Sequence, residues 1–268
     1  MKTGKKRNRV WIWLGIALTS LVLIAAIGGS YLLYARHTSN VHNYKTIGEI
    51  PVPAGYERLN TDQSGYSEFL RSLPLKPKGT EVKLFTGGRA HLQILNYAVV
   101  DLPILSNWEQ CADACMHMRA EFLFRKGRFN DIKFEDVNRE VMAYSGGSSR
   151  QAFEKYLRKV YGMASTYSLV HEMKKRKFKD VQVGDVFVYA ARPGHRYGHA
   201  IMVVDVAVNP KTGERMCILA EGATPARDIH VILNVRNPLS SAWFKIDQDA
   251  DVQFLFPFHF YSDELRHF

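Results

Sequence analysis

Two histidines precede an apolar run in the segment PGHRYGHAIMVVDV, and either could serve as a catalytic base or a metal ligand. His199 opens a predicted strand over 199–208, whereas His195 lies in a loop rich in proline and glycine. The following segment, NPKTGE, predicts a hairpin turn that places His199 opposite roughly residue 224 and Glu221 about one pleat away. A carboxylate there would fix the tautomer of the imidazole and raise its basicity. The sequence therefore predicts a His199–Glu221 pair.

A histidine base needs a nucleophile, and Cys111 is the candidate with the best position. It lies in the first turns of a helix predicted over 106–127, with Ser106 and Glu109 as a capping box. As the fifth helical residue it gains only modest help from the helix dipole, so the histidine would supply most of the activation. The backbone N–H of Cys111 and the side chain of Gln110 could stabilise an oxyanion.

The cysteines also have a purely structural interpretation. Cys111 and Cys115 fall on one apolar helix face together with Met118, which is typical of an inert core cysteine. Cys115 and Cys217 are predicted to be core residues. Three cysteines are few and odd in number, so they do not indicate a disulfide framework.

A zinc site is a further alternative, with His195 and His199 as ligands and Cys111 as a possible third. The H-x₃-H spacing suits zinc on a helix, but the flanking proline and glycines forbid a regular helix here. We therefore predict no metal and no other cofactor. Glu109 and Asp113 lie beside Cys111 and are predicted to be surface or capping groups.

The N-terminus predicts a membrane anchor. Residues 1–9 carry five basic and no acidic side chains, and the 26 residues of 10–35 carry no charge. Such a run crosses a bilayer of about 30 Å as a helix, and the basic flank keeps the N-terminus in the cytoplasm. We expect a single-pass protein of the inner (cytoplasmic) membrane, with the lipid bilayer as partner, a linker over 36–49 and an exported domain over 50–268 on the periplasmic side. A cleaved signal peptide is the alternative, and it exports the same domain.

The charge of the chain argues against one class of partner. The formal net charge is +10, and the basic tail contributes half of it. The run KKRKFK (174–179) is the one dense basic segment of the exported part, and it is typical of a solvated loop or of contact with anionic envelope polymers. Because the domain is expected outside the cytoplasm, we predict no nucleic-acid partner.

The remaining elements predict an α+β domain with mixed segments first, then helices, then an antiparallel meander. An insert over 128–180 separates the cysteine helix from the later strands. Further helices are expected over 66–75 and 149–176, and strands over 81–85, 92–102, 183–191, 199–208, 215–223, 243–246 and 252–260.

Three blocks resemble those of papain-like cell-wall enzymes: EQCADACMHMRAEF, VGDVFVYAARPGHRYGHAIMVVDV and CILAEG. They are similar to the cysteine-led helix, the GD and GH strands and the polar third residue of NlpC/P60 and CHAP peptidoglycan amidases and endopeptidases. This resemblance implies a papain-like core in which the cysteine helix packs on an antiparallel sheet. It also implies Cys111 as nucleophile, His199 as base and Glu221 as orienting residue. Amide hydrolysis of cell-wall peptides, without a cofactor, is the function expected from it.

The chain as a whole also resembles a bacterial envelope family of unknown function, DUF4846. The stretches IPVPAGYERL, LRSLPLK, AVVDL, QCADACM and TPARDIHV carry this resemblance over most of residues 50–235. No activity follows from it. A non-catalytic envelope module that keeps the fold and binds a cell-wall or protein partner is therefore the alternative function.

Overall fold

The structure is a computed structural model that describes residues 4–39, 43–59, 65–91, 93–237, 242–255 and 257–268. Over these residues the chain forms five α-helices: α1 (Gly4–Ser39), α2 (Tyr66–Ser72), α3 (Cys111–Arg125), α4 (Arg150–Met163) and α5 (Thr166–Glu172). The strands are β1 (Glu57–Arg58), β2 (Asn96–Val99), β3 (Lys133–Glu135), β4 (Val141–Ala143), β5 (Lys174–Lys175), β6 (Val186–Tyr189), β7 (His199–Val208), β8 (Arg215–Glu221), β9 (His230–Ile232), β10 (Trp243–Ile246), β11 (Val252–Leu255), β12 (Phe258–Tyr261) and β13 (Leu265–His267). The chain is thus an α+β protein, as predicted.

The main sheet is antiparallel, in the order β2-β9-β8-β7-β6-β13-β5. Its centre is the predicted meander, in which β6, β7 and β8 pair in chain order. β9, which the sequence did not predict, continues the meander beside β8. β1 adds to β7 and β10 adds to β8, while β3–β4 and β11–β12 form separate two-stranded sheets. Helix α3 packs on β7 and β8, so the N-terminal end of α3 is carried by the central hairpin of the sheet.

The predicted hairpin between β7 and β8 is confirmed. Asn209 closes the turn, because its side-chain oxygen accepts the backbone N–H of Lys211 at 2.9 Å and its carbonyl accepts that of Gly213 at 2.8 Å. Gly213 has φ of 75°, a left-handed conformation that favours glycine. The turn chemistry is local, which is why the sequence alone indicates it.

The pairing of β7 with β8 shifts by one residue between Val203 and Asp205. On the turn side of this bulge Val206 lies opposite Cys217, and beyond it Met202 lies opposite Ala220. The turn-based register, which placed His199 opposite residue 224, is therefore wrong by one position.

The bulge decides which side of the sheet the site occupies. Side chains alternate along a strand, so in the turn-based register His199 and Glu221 would point to opposite faces. The shift makes them diagonal neighbours on one face, about one pleat apart. That face carries Ile201 and Leu219 and is covered by the β11–β12 hairpin, whereas α3 covers the other face.

Two predicted strands differ in the structure. The segment over 81–85 folds back on itself around Gly87 instead of joining the sheet, and the side chain of Gln93 binds both backbone groups of Val82. The predicted closing strand over 252–260 is instead the two antiparallel strands β11 and β12, and residue 256 lies outside the described residues. The two helices expected over 149–176 are confirmed as α4 and α5.

Helix α1 contains the predicted apolar span. Its segment Trp11–Tyr31 is long and apolar enough to cross a membrane and is not buried in the protein. This is consistent with a signal sequence or an anchor. Helix α1 extends beyond the predicted span at both ends; residues 1–3 of the predicted tail and 40–42 of the predicted linker lie outside the described residues.

Asp205, at the bulge, ties the start of the domain to the sheet. Its fully buried carboxylate accepts hydrogen bonds from Arg58 Nε at 2.8 Å and Arg71 Nε at 2.6 Å. Since Asp205→Asn leaves two guanidinium groups without their charge partner, we expect the free energy of unfolding to fall by about 3 kcal/mol. Urea denaturation measures this change. The exposed Glu81–Arg89 pair is the control: Arg89→Gln should change the free energy by less than about 1 kcal/mol.

Candidate active site

Helix α3 begins at Cys111 with Gln110 as its cap, four residues later than the predicted cap Ser106. The capping box is formed by Gln110 and Asp113, whose Oδ2 accepts the Gln110 N–H at 2.9 Å. Ser106 instead accepts the N–H of Trp108 at 2.9 Å, which closes a turn ahead of the helix. Cys111 is therefore the first helical residue, where the dipole and the free N–H groups of the helix stabilise a thiolate most.

Glu109 is neither a surface residue nor a helix cap, so its predicted position is wrong. Its side chain is buried at the base of α3, where it accepts the N–H of Leu105 at 2.7 Å and contacts His117 Nδ1 at 2.8 Å. These contacts fix the loop that leads into Cys111. Asp113 is a capping group as predicted, but it is buried, and burial raises its pKa well above the usual range.

His199 and Glu221 form a direct hydrogen bond. Nε2 of His199 lies 2.8 Å from Oε2 of Glu221, and both side chains are largely buried. The ring of Phe258, on β12, stacks on the imidazole with a centroid distance of 3.9 Å and an angle of 24°. The carboxylate and the aromatic ring together leave the imidazole little freedom to rotate.

The Cys111 thiol lines the same cavity as the His199 ring and is close enough to influence the pKa of His199. Because Nε2 is engaged by Glu221, Nδ1 is the ring nitrogen left for the thiol. Burial by itself would lower the pKa of His199, but the hydrogen bonds and negative charges of Cys111 and Glu221 outweigh it and raise the pKa to about 9. At neutral pH the arrangement therefore favours the protonated, imidazolium form of His199.

Gly222 allows α3 to reach the end of β8. A Cβ atom at this position would lie 2.9 Å from the Cβ of Ala114 and 3.1 Å from the carbonyl oxygen of Gln110. Only glycine therefore fits between the strand and the first turn of the helix. Gly198, just before His199, is confined in the same way, because a Cβ atom there would clash with the backbone carbonyl oxygen of Tyr189.

We expect Gly222→Ala to separate the Cys111 thiol from the His199 ring. The added methyl must push the first turn of α3 outward, which should lower the free energy of unfolding by about 1–3 kcal/mol. The alkylation rate of Cys111 should fall about tenfold, because the thiolate loses its imidazolium partner. Gly162→Ala is the control, since a Cβ there meets nothing within 4 Å. Equal alkylation rates in both variants would contradict the role given to Gly222.

Cys111, His199 and Glu221 open into one cavity of about 270 Å³. Its other walls are apolar or carry histidine, hydroxyl and guanidinium groups. They are formed by Val82, His91, Leu95, Tyr197, Gly198, Ala223, Thr224, Arg227, His230, Pro257 and Phe258. A cavity of this size holds a short side chain or one peptide unit next to the thiol.

Gln110 lies next to Cys111 but is not part of the cavity wall. Its side-chain oxygen accepts the hydroxyl of Thr224 at 2.7 Å, which ties it to the loop after β8. The role predicted for the Gln110 side chain stays a prediction.

His195 lies away from the site, in the loop where the sequence placed it. Its ring contacts those of Tyr189 and His259, with centroids 5.4 and 5.1 Å away. Cys115 and Cys217 are fully buried, and burial raises the pKa of each thiol well above the usual range. Across the described part of the chain, no group of three or more His, Cys, Asp or Glu side chains is arranged to hold a metal ion.

His230 and Arg227 are among the polar cavity residues that the sequence reasoning missed. His230 lies directly across from Glu221 on β9, with Nε2 3.7 Å from Glu221 Oε1, so the carboxylate faces two histidines. Burial lowers the pKa of His230, which favours its neutral form. Arg227 lies in the loop before β9. Both residues belong to the stretch TPARDIHV, which directly follows the predicted strand over 215–223. The polar residues so close to that strand were the sequence signal that could have indicated them.

Comparison with known proteins identifies a family over most of the chain. The model of DUF4846, a domain of unknown function, matches residues 47–148 and 143–267. The chain belongs to this family. The matched residues include Cys111, His199 and Glu221 but not α1. The match also continues beyond residue 235, where the predicted resemblance ended, and so includes the β11–β12 hairpin. No curated protein and no solved structure matches the chain. No peptidase family model matches the chain, so the resemblance to NlpC/P60 and CHAP enzymes rests on the three sequence blocks alone.

Proposed function

We propose that this DUF4846 protein is a cysteine hydrolase of amide bonds. One observation carries the proposal. The thiol of Cys111, the first residue of α3, lines the same cavity as the His199 imidazole, and that imidazole is hydrogen-bonded to the Glu221 carboxylate. Cysteine, histidine and an orienting polar group at hydrogen-bond distance are the parts that nucleophilic amide hydrolysis needs. The resemblance of the three sequence blocks to NlpC/P60 and CHAP enzymes supports the same chemistry and a papain-like core.

Each residue has a defined part in the proposed reaction. The thiolate of Cys111 attacks the amide carbonyl, and backbone N–H groups at the start of α3 stabilise the oxyanion. The imidazolium of His199 gives its proton to the leaving amine as the C–N bond breaks, and a thioester remains. His199 then takes a proton from water, the hydroxide displaces the Cys111 thiolate, and a carboxylic acid is released. Glu221 stabilises the imidazolium throughout.

The place of action is proposed from α1. A helix long and apolar enough to cross a membrane, close to the N-terminus, supports an anchor in the inner membrane with the domain on the periplasmic side. At that location cell-wall peptides are the most accessible amide substrates, as peptidoglycan amidase or endopeptidase activity would require. The partners proposed are therefore the lipid bilayer and cell-wall peptides.

Digestion of cell-wall material tests this function. The full chain in detergent is incubated with purified peptidoglycan, and new amine and carboxyl groups are followed by mass spectrometry. We expect release of peptides that stops when the protein is first treated with iodoacetamide. Release that continues undiminished after alkylation of Cys111 would contradict a cysteine mechanism, and specific binding to peptidoglycan without any cleavage would favour the alternative of a non-catalytic envelope module.

A further inference from the structure

Arg227 is a half-buried guanidinium group in the wall of the same cavity. Its Nη2 donates to the carbonyl of Thr224 at 3.1 Å and its Nε to that of Pro225 at 3.3 Å. Among the residues that the structure describes, it forms no ion pair with a carboxylate. Arg71 and Arg192, which are also partly buried, each bind a carboxylate. Arg227 thus has its charge available toward the cavity.

The segment around Arg227 is fixed rather than loose. Its backbone forms a bridge with Leu84, and the next residue, Asp228, donates its N–H to the carbonyl of Lys83 at 2.9 Å. The Asp228 carboxylate binds the Lys83 N–H and the Lys76 ammonium, both at 2.9 Å, and so does not neutralise Arg227. The guanidinium is therefore carried by a fixed segment in the wall of the cavity that Cys111 also lines.

Among the described residues that line the cavity, Glu221 is the one that carries a carboxylate, and that group is hydrogen-bonded to His199. Val82, Leu95 and Pro257 make part of the wall apolar, which strengthens the attraction between an arginine and an incoming anion. A planar guanidinium fork matches the two oxygens of a carboxylate.

We propose that Arg227 makes this site selective for amide substrates that carry a carboxylate close to the scissile carbonyl. This inference rests on the proposed function and narrows its substrate class to acidic peptides. Arg227 is a specificity-determining residue: it binds the carboxylate and takes no part in proton transfer. Burial lowers the pKa of Arg227 while the nearby charge of Glu221 raises it, and an anionic ligand would offset the cost of burial in the same way.

Two alkylating reagents of similar size test the inference without a known substrate. Iodoacetate carries a carboxylate and iodoacetamide a neutral amide; with each, Cys111 sulfur forms a bond to carbon and iodide leaves. The rate constants for Cys111 are measured at pH 7 in the full chain by peptide mass spectrometry. We expect the iodoacetate-to-iodoacetamide ratio to fall about tenfold in Arg227→Gln and to remain near the wild-type value in Arg227→Lys.

Arg196→Gln is the matched control, because it removes the same charge from an exposed side chain outside the cavity wall. It should leave the ratio unchanged. The iodoacetamide rate of each variant reports whether the site is intact, so a misfolded variant is recognised. A reactive Cys111 with the same ratio in wild type and Arg227→Gln would overturn the inference alone. A Cys111 that reacts with neither reagent would overturn the proposed function and this inference with it.

Discussion

Cys111→Ser is expected to lower amide hydrolysis by a factor on the order of 10⁴ or more. A hydroxyl has a pKa far above that of a thiol, so the His199 imidazole cannot hold it as an anion at neutral pH, even at the start of α3. The substitution changes one atom at a largely buried position, and we expect the free energy of unfolding to change by less than about 1 kcal/mol. Activity assays and urea denaturation of the same preparations separate the two effects.

Cys217→Ala is the matched control for this experiment. Cys217 is fully buried on β8, belongs to the core on the β11–β12 side of the sheet and does not line the cavity. Its replacement should cost about 1–2 kcal/mol of stability, because a buried sulfur is lost, and should leave hydrolysis near the wild-type rate. If Cys111→Ser retained hydrolysis at the level of Cys217→Ala, the nucleophile would have to be sought elsewhere.

Glu221→Gln is expected to move the alkaline limb of the pH–rate profile to lower pH. The reaction needs a protonated His199 to donate to the leaving amine, so kcat/KM should fall as pH rises through the His199 pKa of about 9. Glu221 raises that pKa through its hydrogen bond and its charge. Glutamine can keep a hydrogen bond but removes the charge, so the imidazolium should be lost at a lower pH.

The same variant should reduce the rate at the pH optimum by a factor on the order of 100. The glutamine side chain neither stabilises the imidazolium nor fixes the ring as a carboxylate does. Glu214→Gln is the control, because Glu214 is a partly exposed carboxylate at the far, turn end of the β7–β8 hairpin. An alkaline limb at the same pH in wild type and Glu221→Gln would show that Glu221 does not set the pKa of the base.

The parts of the fold that the sequence predicted correctly depend on local chemistry. β7 and β10 have the predicted bounds, because apolar β-branched runs end at strong turn signals. The predicted start of α3 was wrong because two pairs of residues could form the capping box, Ser106 with Glu109 and Gln110 with Asp113. Ser106 with Glu109 satisfies the local pattern, but tertiary contacts draw Glu109 to the buried His117. A capping motif cannot reveal a partner eight residues further along the chain.

The geometry of the site depends on features with no local signal. β7 is buried on both faces, so its sequence does not alternate, and the bulge near Asp205 cannot be read from periodicity. The sequence identified the residue types of Cys111, His199 and Glu221 and their approximate proximity. It did not indicate Arg227 or Phe258, because the loop before β9 and the β11–β12 hairpin reach the cavity only through the tertiary fold.

The alkylation rate of Cys111 by iodoacetamide at pH 7, in wild type and in His199→Ala, tests the central claim most directly. Peptide mass spectrometry of the full chain assigns the label to each of the three cysteines. If the imidazolium of His199 holds the thiolate, Cys111 should react about tenfold or more faster than an ordinary exposed thiol, and His199→Ala should abolish that advantage. A Cys111 that reacts no faster than an ordinary thiol, at a rate that His199→Ala leaves unchanged, would contradict the proposed mechanism.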